Sequence, residues 1–254
     1  MPDVRIAAAT RNAVRAAFVV AAISIASAAC GHPAPPEPST TLSTVTAGAT
    51  STNLPVTASP TTVAGMYGDP VAAARYWQQQ SLEDNCGLVS VADVVGEITG
   101  HAPTEHEVIA LAESTPSQTN PGPIYAPAND PSHANGTGGI EMADEVVLLA
   151  HYGITSVMTD TTHPDQTGLP ALQRYLTDNR KIIAWVNSAV IWNSNDQRGT
   201  ADHFLVVTGI DTNNEIVHLN DPGADHADEQ VAVTTFTTAW HTGGDSIVVT
   251  AAAG

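Results

Sequence analysis

The feature that most constrains this chain is a cysteine placed where a polar loop runs into an apolar helical pattern. The loop 81–85 leads to Cys86, and the apolar residues after it recur at three- and four-residue steps until Gly100, which predicts a helix that begins at the cysteine. These apolar residues are Leu88, Val91, Ala92, Val95 and Ile98. A helix N-terminus carries partial positive charge, which favours the nucleophilic thiolate form of a cysteine. We therefore expect Cys86 to be a nucleophile.

Residues 1–29 are predicted to be an export signal. Arginines at 5, 11 and 15 precede an apolar run at 16–29 that is too short to span a bilayer comfortably. The run ends in Ser27-Ala28-Ala29-Cys30, which resembles the lipobox of bacterial lipoproteins, although Ser27 stands where that motif usually has an aliphatic residue. The resemblance implies that Cys30 is lipidated. The alternative is an ordinary cleavage site that leaves a free thiol at Cys30.

Residues 30–65 are predicted to form a disordered tether. The segment is dense in Pro, Thr, Ser and Ala, and it has no amphipathic period. Such a composition cannot bury enough apolar surface to offset the entropy lost on ordering. We expect the tether to hold a folded domain, residues 66–254, away from the outer face of the cell membrane or within the cell envelope, unless the protein is secreted.

The negative net charge of the chain limits the kinds of partner that it can bind. The chain has 8 basic and 26 acidic residues and a formal net charge of −18. Such a body repels nucleic acid and anionic lipid headgroups. We therefore expect no nucleic-acid partner and contact with a membrane only through the N-terminal lipid, and the oligomeric state stays open.

The order of predicted elements indicates an α+β fold in one domain, because helices come first and antiparallel strands follow. Helices are predicted at 72–80, 86–99, 105–113, 139–151, 168–176 and 234–240, with a long loop at 114–138. Strands are predicted at 155–158, 181–186, 203–210, 215–219 and 246–251.

Two polar residues of the predicted sheet are suited to activate Cys86. His203 begins an apolar strand, and Asp221 follows the return strand of the same hairpin, so the two side chains are expected to be neighbours. A thiol nucleophile needs a base, and the base needs an orienting group. We expect His203 to be the base, Asp221 to orient it, and Gln80 with the Cys86 N–H to donate to the oxyanion. Asn220 is an alternative orienting residue, and Asp221 alone could be only a turn former.

These segments resemble papain-fold cysteine peptidases, and more narrowly the double-glycine-leader peptidase group (cysteine peptidase family 39) and its standalone relatives. The resemblance lies in 80–90, 202–211 and 220–222, and it covers roughly 66–254. It implies a papain-like fold with N-terminal helices packed on a C-terminal antiparallel sheet. It also implies Cys86 as nucleophile, His203 as base and later acid, Asp221 as orienting residue and Gln80 as oxyanion donor. The transporter domains of bacteriocin-processing members are absent from the sequence, so their cleavage after Gly-Gly does not carry over.

Two classes of function remain. The first is an exported, lipid-anchored thiol hydrolase, a cysteine peptidase that cleaves peptide, isopeptide or amide bonds of a peptide or protein substrate. The alternative is a catalytically inactive papain-like lipoprotein that binds at a surface, in which Cys86 is a plain buried cysteine. The histidines do not show the H-E-x-x-H or paired Cys-x-x-Cys spacing of a metal site, so we expect no metal and no cofactor.

Overall fold

The computed structural model describes residues 64–127, 130 and 139–252. The predicted export signal, the lipidation site at Cys30 and almost all of the predicted tether lie outside the described residues, as does part of the loop 114–138. In the described part of the chain, no helix is both long and apolar enough to cross a membrane.

The helices of the described residues largely follow the predicted order. Their bounds are α1 Pro70–Ala73, α2 Cys86–Thr99, α3 Glu105–Ser114, α4 Met142–His151, α5 Leu169–Thr177, α6 Ser188–Ile191 and α7 Val233–His241. A 3₁₀ turn at Ala74–Tyr76 follows α1. The predictions of helices at 86–99, 105–113, 139–151, 168–176 and 234–240 are confirmed to within a few residues.

The strands form one antiparallel sheet. Their bounds are β1 Met66–Gly68, β2 Ser156–Thr159, β3 Ile182–Val186, β4 His203–Asp211, β5 Ile216–Asn220, β6 Glu229–Ala232 and β7 Ile247–Thr250. The strand order is β2-β7-β3-β4-β5-β6, and β1 pairs with the end of β4. With helices first and antiparallel strands after them, the predicted α+β class is confirmed.

Helices cover the sheet on both faces, so the central strands are buried on both sides. Along β3, Ile182 and Ala184 belong to a core shared with α5 and α7, whereas Ile183 belongs to a second core shared with α2, α3 and α4. This alternation follows from the two-residue period of a strand. The unbroken apolar sequences of β3 and β4 therefore reflect burial on both faces of the sheet.

Helix α2 is buried almost all round over its first three turns. Every residue from Cys86 to Gly96 is buried, and only the last turn reaches the surface, where Ile98 is 44% exposed. A helix that is apolar on all sides belongs in a core. Gly100 ends α2 in the left-handed region with φ of 81°, and its N–H donates to Gly96 O. The start and the end of the predicted helix are both confirmed.

The helix predicted at 72–80, with Asp69 and Pro70 at its start, is confirmed only as far as Tyr76. Helical structure stops at Tyr76, and Trp77 has φ −56° and ψ 136°. The segment after Tyr76 instead bonds to a distant part of the chain: the Trp77 indole donates to Asp221 O at 2.6 Å, and the Gln80 N–H donates to Pro222 O at 2.9 Å. Because these acceptors lie far away in sequence, local periodicity could not reveal them.

Three short elements were not predicted: β1, α6 and β6. Each has at most four residues, and β6 has the sequence EQVA, which lacks an apolar run. Pairing with a neighbouring strand, β4 for β1 and β5 for β6, produces the two strands. Strands this short form because a partner already exists, and the sequence gives little sign of them.

Because β4 is buried on both faces of the sheet, we expect a truncated side chain in this strand to lower the stability of the domain. Leu205 is fully buried in the core that the sheet shares with α5 and α7. We expect Leu205→Ala to lower the free energy of unfolding by about 2–5 kcal/mol, because it removes apolar contacts and leaves a cavity. Urea unfolding followed by circular dichroism measures the change.

The matched control is Val71→Ala, since Val71 is 82% exposed. It should change the free energy of unfolding by less than about 0.5 kcal/mol. Equal effects of the two substitutions would contradict the burial of Leu205.

Candidate active site

The β4–β5 hairpin brings a histidine and an aspartate together. His203 is the first residue of β4, and Asp221 follows the last residue of β5, where the register pairs Asn220 with Val206. The chain leaving β5 therefore passes the start of β4. His203 Nε2 lies 2.6 Å from Asp221 Oδ1, and both side chains are buried.

Asp221 is held by several donors besides the imidazole. The Gly223 N–H donates to Oδ1 at 2.7 Å, and the Trp192 indole N–H donates to Oδ2 at 3.0 Å. The Trp192 ring also packs against the His203 ring, with centroids 5.1 Å apart. Trp192 thus positions both the carboxylate and the imidazole, a role that was not predicted.

Cys86 completes the cluster from the other side. It is the first residue of α2, is 8% exposed, and interacts electrostatically with the His203 imidazole. The structure therefore brings together the three residues that were expected to be nucleophile, base and orienting group.

The charges of this cluster favour a protonated imidazole. Burial lowers the pKa of His203, but the neighbouring Cys86 and Asp221 outweigh it and raise that pKa to about 10. For Asp221, burial acts to raise the pKa, yet His203 and the N–H donors hold it below its ordinary value. At neutral pH the site thus holds an imidazolium between a carboxylate and a sulfur.

The loop before Cys86 is fixed by an acid from α3. Glu105 accepts from the Ser81 N–H and from Asn85 Nδ2, each at 2.6 Å. Among the described residues, Asn85 makes no side-chain hydrogen bond that would cap α2. The first-turn N–H groups at Cys86 are therefore not occupied by the usual capping side chain, which suits them to receive a developing negative charge.

Gln80 lies beside the cluster with its amide already engaged. Its Nε2 donates to Leu82 O at 2.7 Å, and its Oε1 is buried without a hydrogen-bond partner among the residues that the structure describes. Its backbone N–H donates to Pro222 O. The role of Gln80 as an oxyanion donor stays a prediction.

Asn220, the alternative orienting residue, makes other contacts. Its Nδ2 donates to Ala73 O at 3.0 Å and to Asp93 Oδ2 at 2.8 Å. Since Asp93 belongs to α2, this bond ties the cysteine-bearing helix to the strand that leads to Asp221. The residue at hydrogen-bond distance from the imidazole is Asp221.

A buried glutamate near Cys86 was also not predicted from the sequence. Glu145 lies in the first turn of α4 and is fully buried, as are Leu148 and Leu149. A signal was present in the sequence, because residues three and four positions apart share one face of a helix and Glu145 therefore falls on the apolar face. Within the described ranges, no group of three or more His, Cys, Asp and Glu side chains is arranged to hold a metal ion.

Comparisons with known proteins agree with the resemblance seen in the sequence. Residues 75–247 match the model of the Peptidase_C39 like family. Uncharacterised proteins of Mycobacterium tuberculosis and Mycobacterium bovis are each 45% identical over 196 residues, which cover 73% of this chain and 84% of each relative.

Solved structures are similar at lower identity. A crystal structure described as a C39-like peptidase from Bacillus anthracis has a TM-score of 0.49 and 17% identity, and the match covers 73% of this chain and 97% of that one. The peptidase domain of Streptococcus ComA, a bi-functional ABC transporter, has a TM-score of 0.41 and 14% identity, with 70% of this chain and 99% of that one covered.

The contact between His203 and Asp221 can be tested by titration. We expect Asp221→Asn to lower the pKa of His203 from about 10, because the substitution removes one of the two groups that raise it. Nuclear magnetic resonance of labelled histidine rings measures this pKa, and the spectrum of His203→Gln identifies the resonance.

Asp225→Asn is the matched control. Asp225 bonds the exposed His226 in the same way, with Oδ1 2.7 Å from Nδ1. This substitution should leave the titration of His203 where it is in the wild type. An unchanged pKa of His203 in Asp221→Asn would contradict the geometry of the site.

Proposed function

The chain belongs to the Peptidase_C39 like family, and we propose that it is a cysteine peptidase that hydrolyses peptide or related amide bonds through Cys86, His203 and Asp221. The family and the antiparallel sheet with its helices confirm the expected papain-like fold class. The observation that carries the proposal is that one buried imidazole lies 2.6 Å from Asp221 and interacts electrostatically with Cys86. This arrangement argues against the inactive scaffold considered as the alternative.

The first half of the reaction forms an acyl-enzyme. The Cys86 thiolate attacks the carbonyl carbon of the substrate, a C–S bond forms, and the π electrons move to the carbonyl oxygen. The first N–H groups of α2 stabilise this oxyanion, together with Gln80 if its amide turns away from Leu82. The His203 imidazolium then gives its proton to the leaving amine as the C–N bond breaks, which leaves a thioester on Cys86 and a neutral imidazole.

The second half releases the product. His203 takes a proton from water, and the oxygen attacks the thioester carbon. Collapse of the tetrahedral intermediate breaks the C–S bond and frees a carboxylic acid, while the thiolate–imidazolium pair is restored. Asp221 holds the imidazole in place throughout, and Trp192 supports both groups through its N–H and its ring face.

Alkylation of Cys86 tests this proposal without a known substrate. The chain has two cysteines, so a Cys30→Ser background leaves Cys86 as the remaining thiol. We expect iodoacetamide to alkylate Cys86 near pH 7 at least about tenfold faster than a model thiol, because the thiolate is the reacting form. Mass spectrometry follows the reaction.

His203→Ala should remove this rate advantage, because the imidazolium is no longer present to stabilise the thiolate. Cleavage of a random peptide library should also be lost, by about 100-fold or more, in Cys86→Ser and in His203→Ala. Equal alkylation rates in the wild type and in His203→Ala would contradict the proposed peptidase activity, although the chain would still have the fold of the family.

We also propose that the protein is exported and held at the outer face of the cell membrane by a lipid on Cys30. The support is the sequence pattern of 1–30 and the tether-like composition that follows. Metabolic labelling with a palmitate analogue should mark the wild type and leave Cys30→Ser unmarked. If the wild type is secreted without label, the anchor is ruled out while export stands.

A further inference from the structure

Glu145 is a buried acid that the reaction outlined above does not use. It is fully buried, and neither Oε1 nor Oε2 has a hydrogen-bond partner among the residues that the structure describes. A buried polar group without a partner is costly, so each case in a native protein calls for an explanation. Leu148 and Leu149 occupy the same buried face of α4, where an apolar side chain would avoid the cost.

The carboxyl group lies against the start of the cysteine-bearing helix. Helix α4 packs on α2, and a β-carbon placed on Gly87 would be 3.0 Å from Glu145 Oε1 and 2.8 Å from a carbon of Ile140. Gly87 directly follows Cys86. The absence of a side chain at position 87 therefore allows the acid to approach the first turn of α2.

The surroundings of this acid oppose its ionisation. Complete burial raises the pKa of Glu145 well above its ordinary value, and the negative charge of Cys86 raises it further. Cys86 on α2 is the ionisable group that acts on Glu145, and Cys86 in turn acts on His203 of β4; Asp93 and Glu97 lie further along α2. Asp144, next to Glu145 on α4, accepts from Ser117 Oγ and the Gln118 N–H instead.

A neutral carboxylic acid has an O–H that can donate. The negative charge that acts on Glu145 is the one carried by Cys86, and an oxyanion would form at the same place during attack. The donor expected for that charge, Gln80 Nε2, is occupied by Leu82 O in this structure. A protonated acid in an apolar site is a known way to supply a hydrogen bond to developing charge.

We propose that Glu145 works as a neutral acid whose O–H donates a hydrogen bond to the negative charge that forms at Cys86. This role deepens the proposed peptidase activity and rests on it. It gives the hydroxyl of the buried acid an acceptor in the reacting site, which the described residues do not otherwise provide. It also accounts for glycine at position 87, which leaves room for the contact.

Three substitutions of Glu145 separate hydrogen-bond donation from packing. Glu145→Gln keeps an N–H donor at the same place, whereas Glu145→Met has a similar length and no donor; Glu145→Leu is a second variant without a donor. Leu148→Met is the control for repacking on the same buried face of α4, since it conserves volume and touches no polar group. All are made in the full chain with Cys30→Ser.

The measurement is the rate of Cys86 alkylation by iodoacetamide between about pH 4 and pH 9. On the rising part of the wild-type profile, we expect Glu145→Met and Glu145→Leu to react about tenfold or more slowly, because the thiolate loses a charge-assisted hydrogen bond. Their profiles should therefore rise at a higher pH. Glu145→Gln should lose less than about threefold, and Leu148→Met should coincide with the wild type.

The outcomes distinguish this proposal from the peptidase activity. A fast wild type whose profile coincides with those of Glu145→Met and Glu145→Leu overturns the role of Glu145 alone. If the pH profile of Glu145→Gln is displaced as far as that of Glu145→Met, the role of Glu145 is also overturned, because a hydrogen-bond donor at this position would then not be enough to stabilise the thiolate. A wild-type Cys86 that reacts no faster than a model thiol overturns both proposals, and the His203→Ala comparison then shows no difference either.

Discussion

The site depends on a small set of hydrogen bonds that dock two distant segments side by side. The segment before Cys86 contributes the Trp77 indole, the Gln79 side chain and the Gln80 backbone N–H, which donate to carbonyl groups of the segment 221–224. Neither segment has regular secondary structure, so these bonds also satisfy polar groups that burial would leave unpaired. This docking places the loop before the cysteine against the segment that carries Asp221.

The buried sheet limits the movement of the segments that are docked in this way. Because β3 and β4 are covered by helices on both faces, His203 leads into a strand with little freedom to move, and the hairpin register fixes Asp221 against it. On the other side, the Asp93–Asn220 bond ties α2 to the end of β5. The nucleophile and the orienting carboxylate are thus joined to each other through the core as well as through the cleft.

Much of this arrangement could be predicted from the sequence, and the failures share one cause. The start of α2 at Cys86 and the β4–β5 hairpin are set by local apolar periodicity and by glycine or turn residues, which a sequence displays directly. The helix expected at 72–80 ends at Tyr76 because Trp77 bonds to an acceptor far along the chain. Trp192 was missed because its partners, His203 and Asp221, are brought to it by the fold.

The buried ionisable groups couple folding to proton uptake. His203, with its pKa raised to about 10, holds in the folded state a proton that the unfolded chain releases near 6.5. The raised pKa values of Asp93, Glu145 and Glu229 act in the same direction, whereas the lowered pKa of Asp221 opposes them. The stabilisation from His203 is complete below about pH 6.5 and fades as the pH rises toward about 10. The contribution of His203 to folding is therefore larger in mildly acidic than in alkaline surroundings, and the proton that prepares its chemistry also helps to keep the site folded.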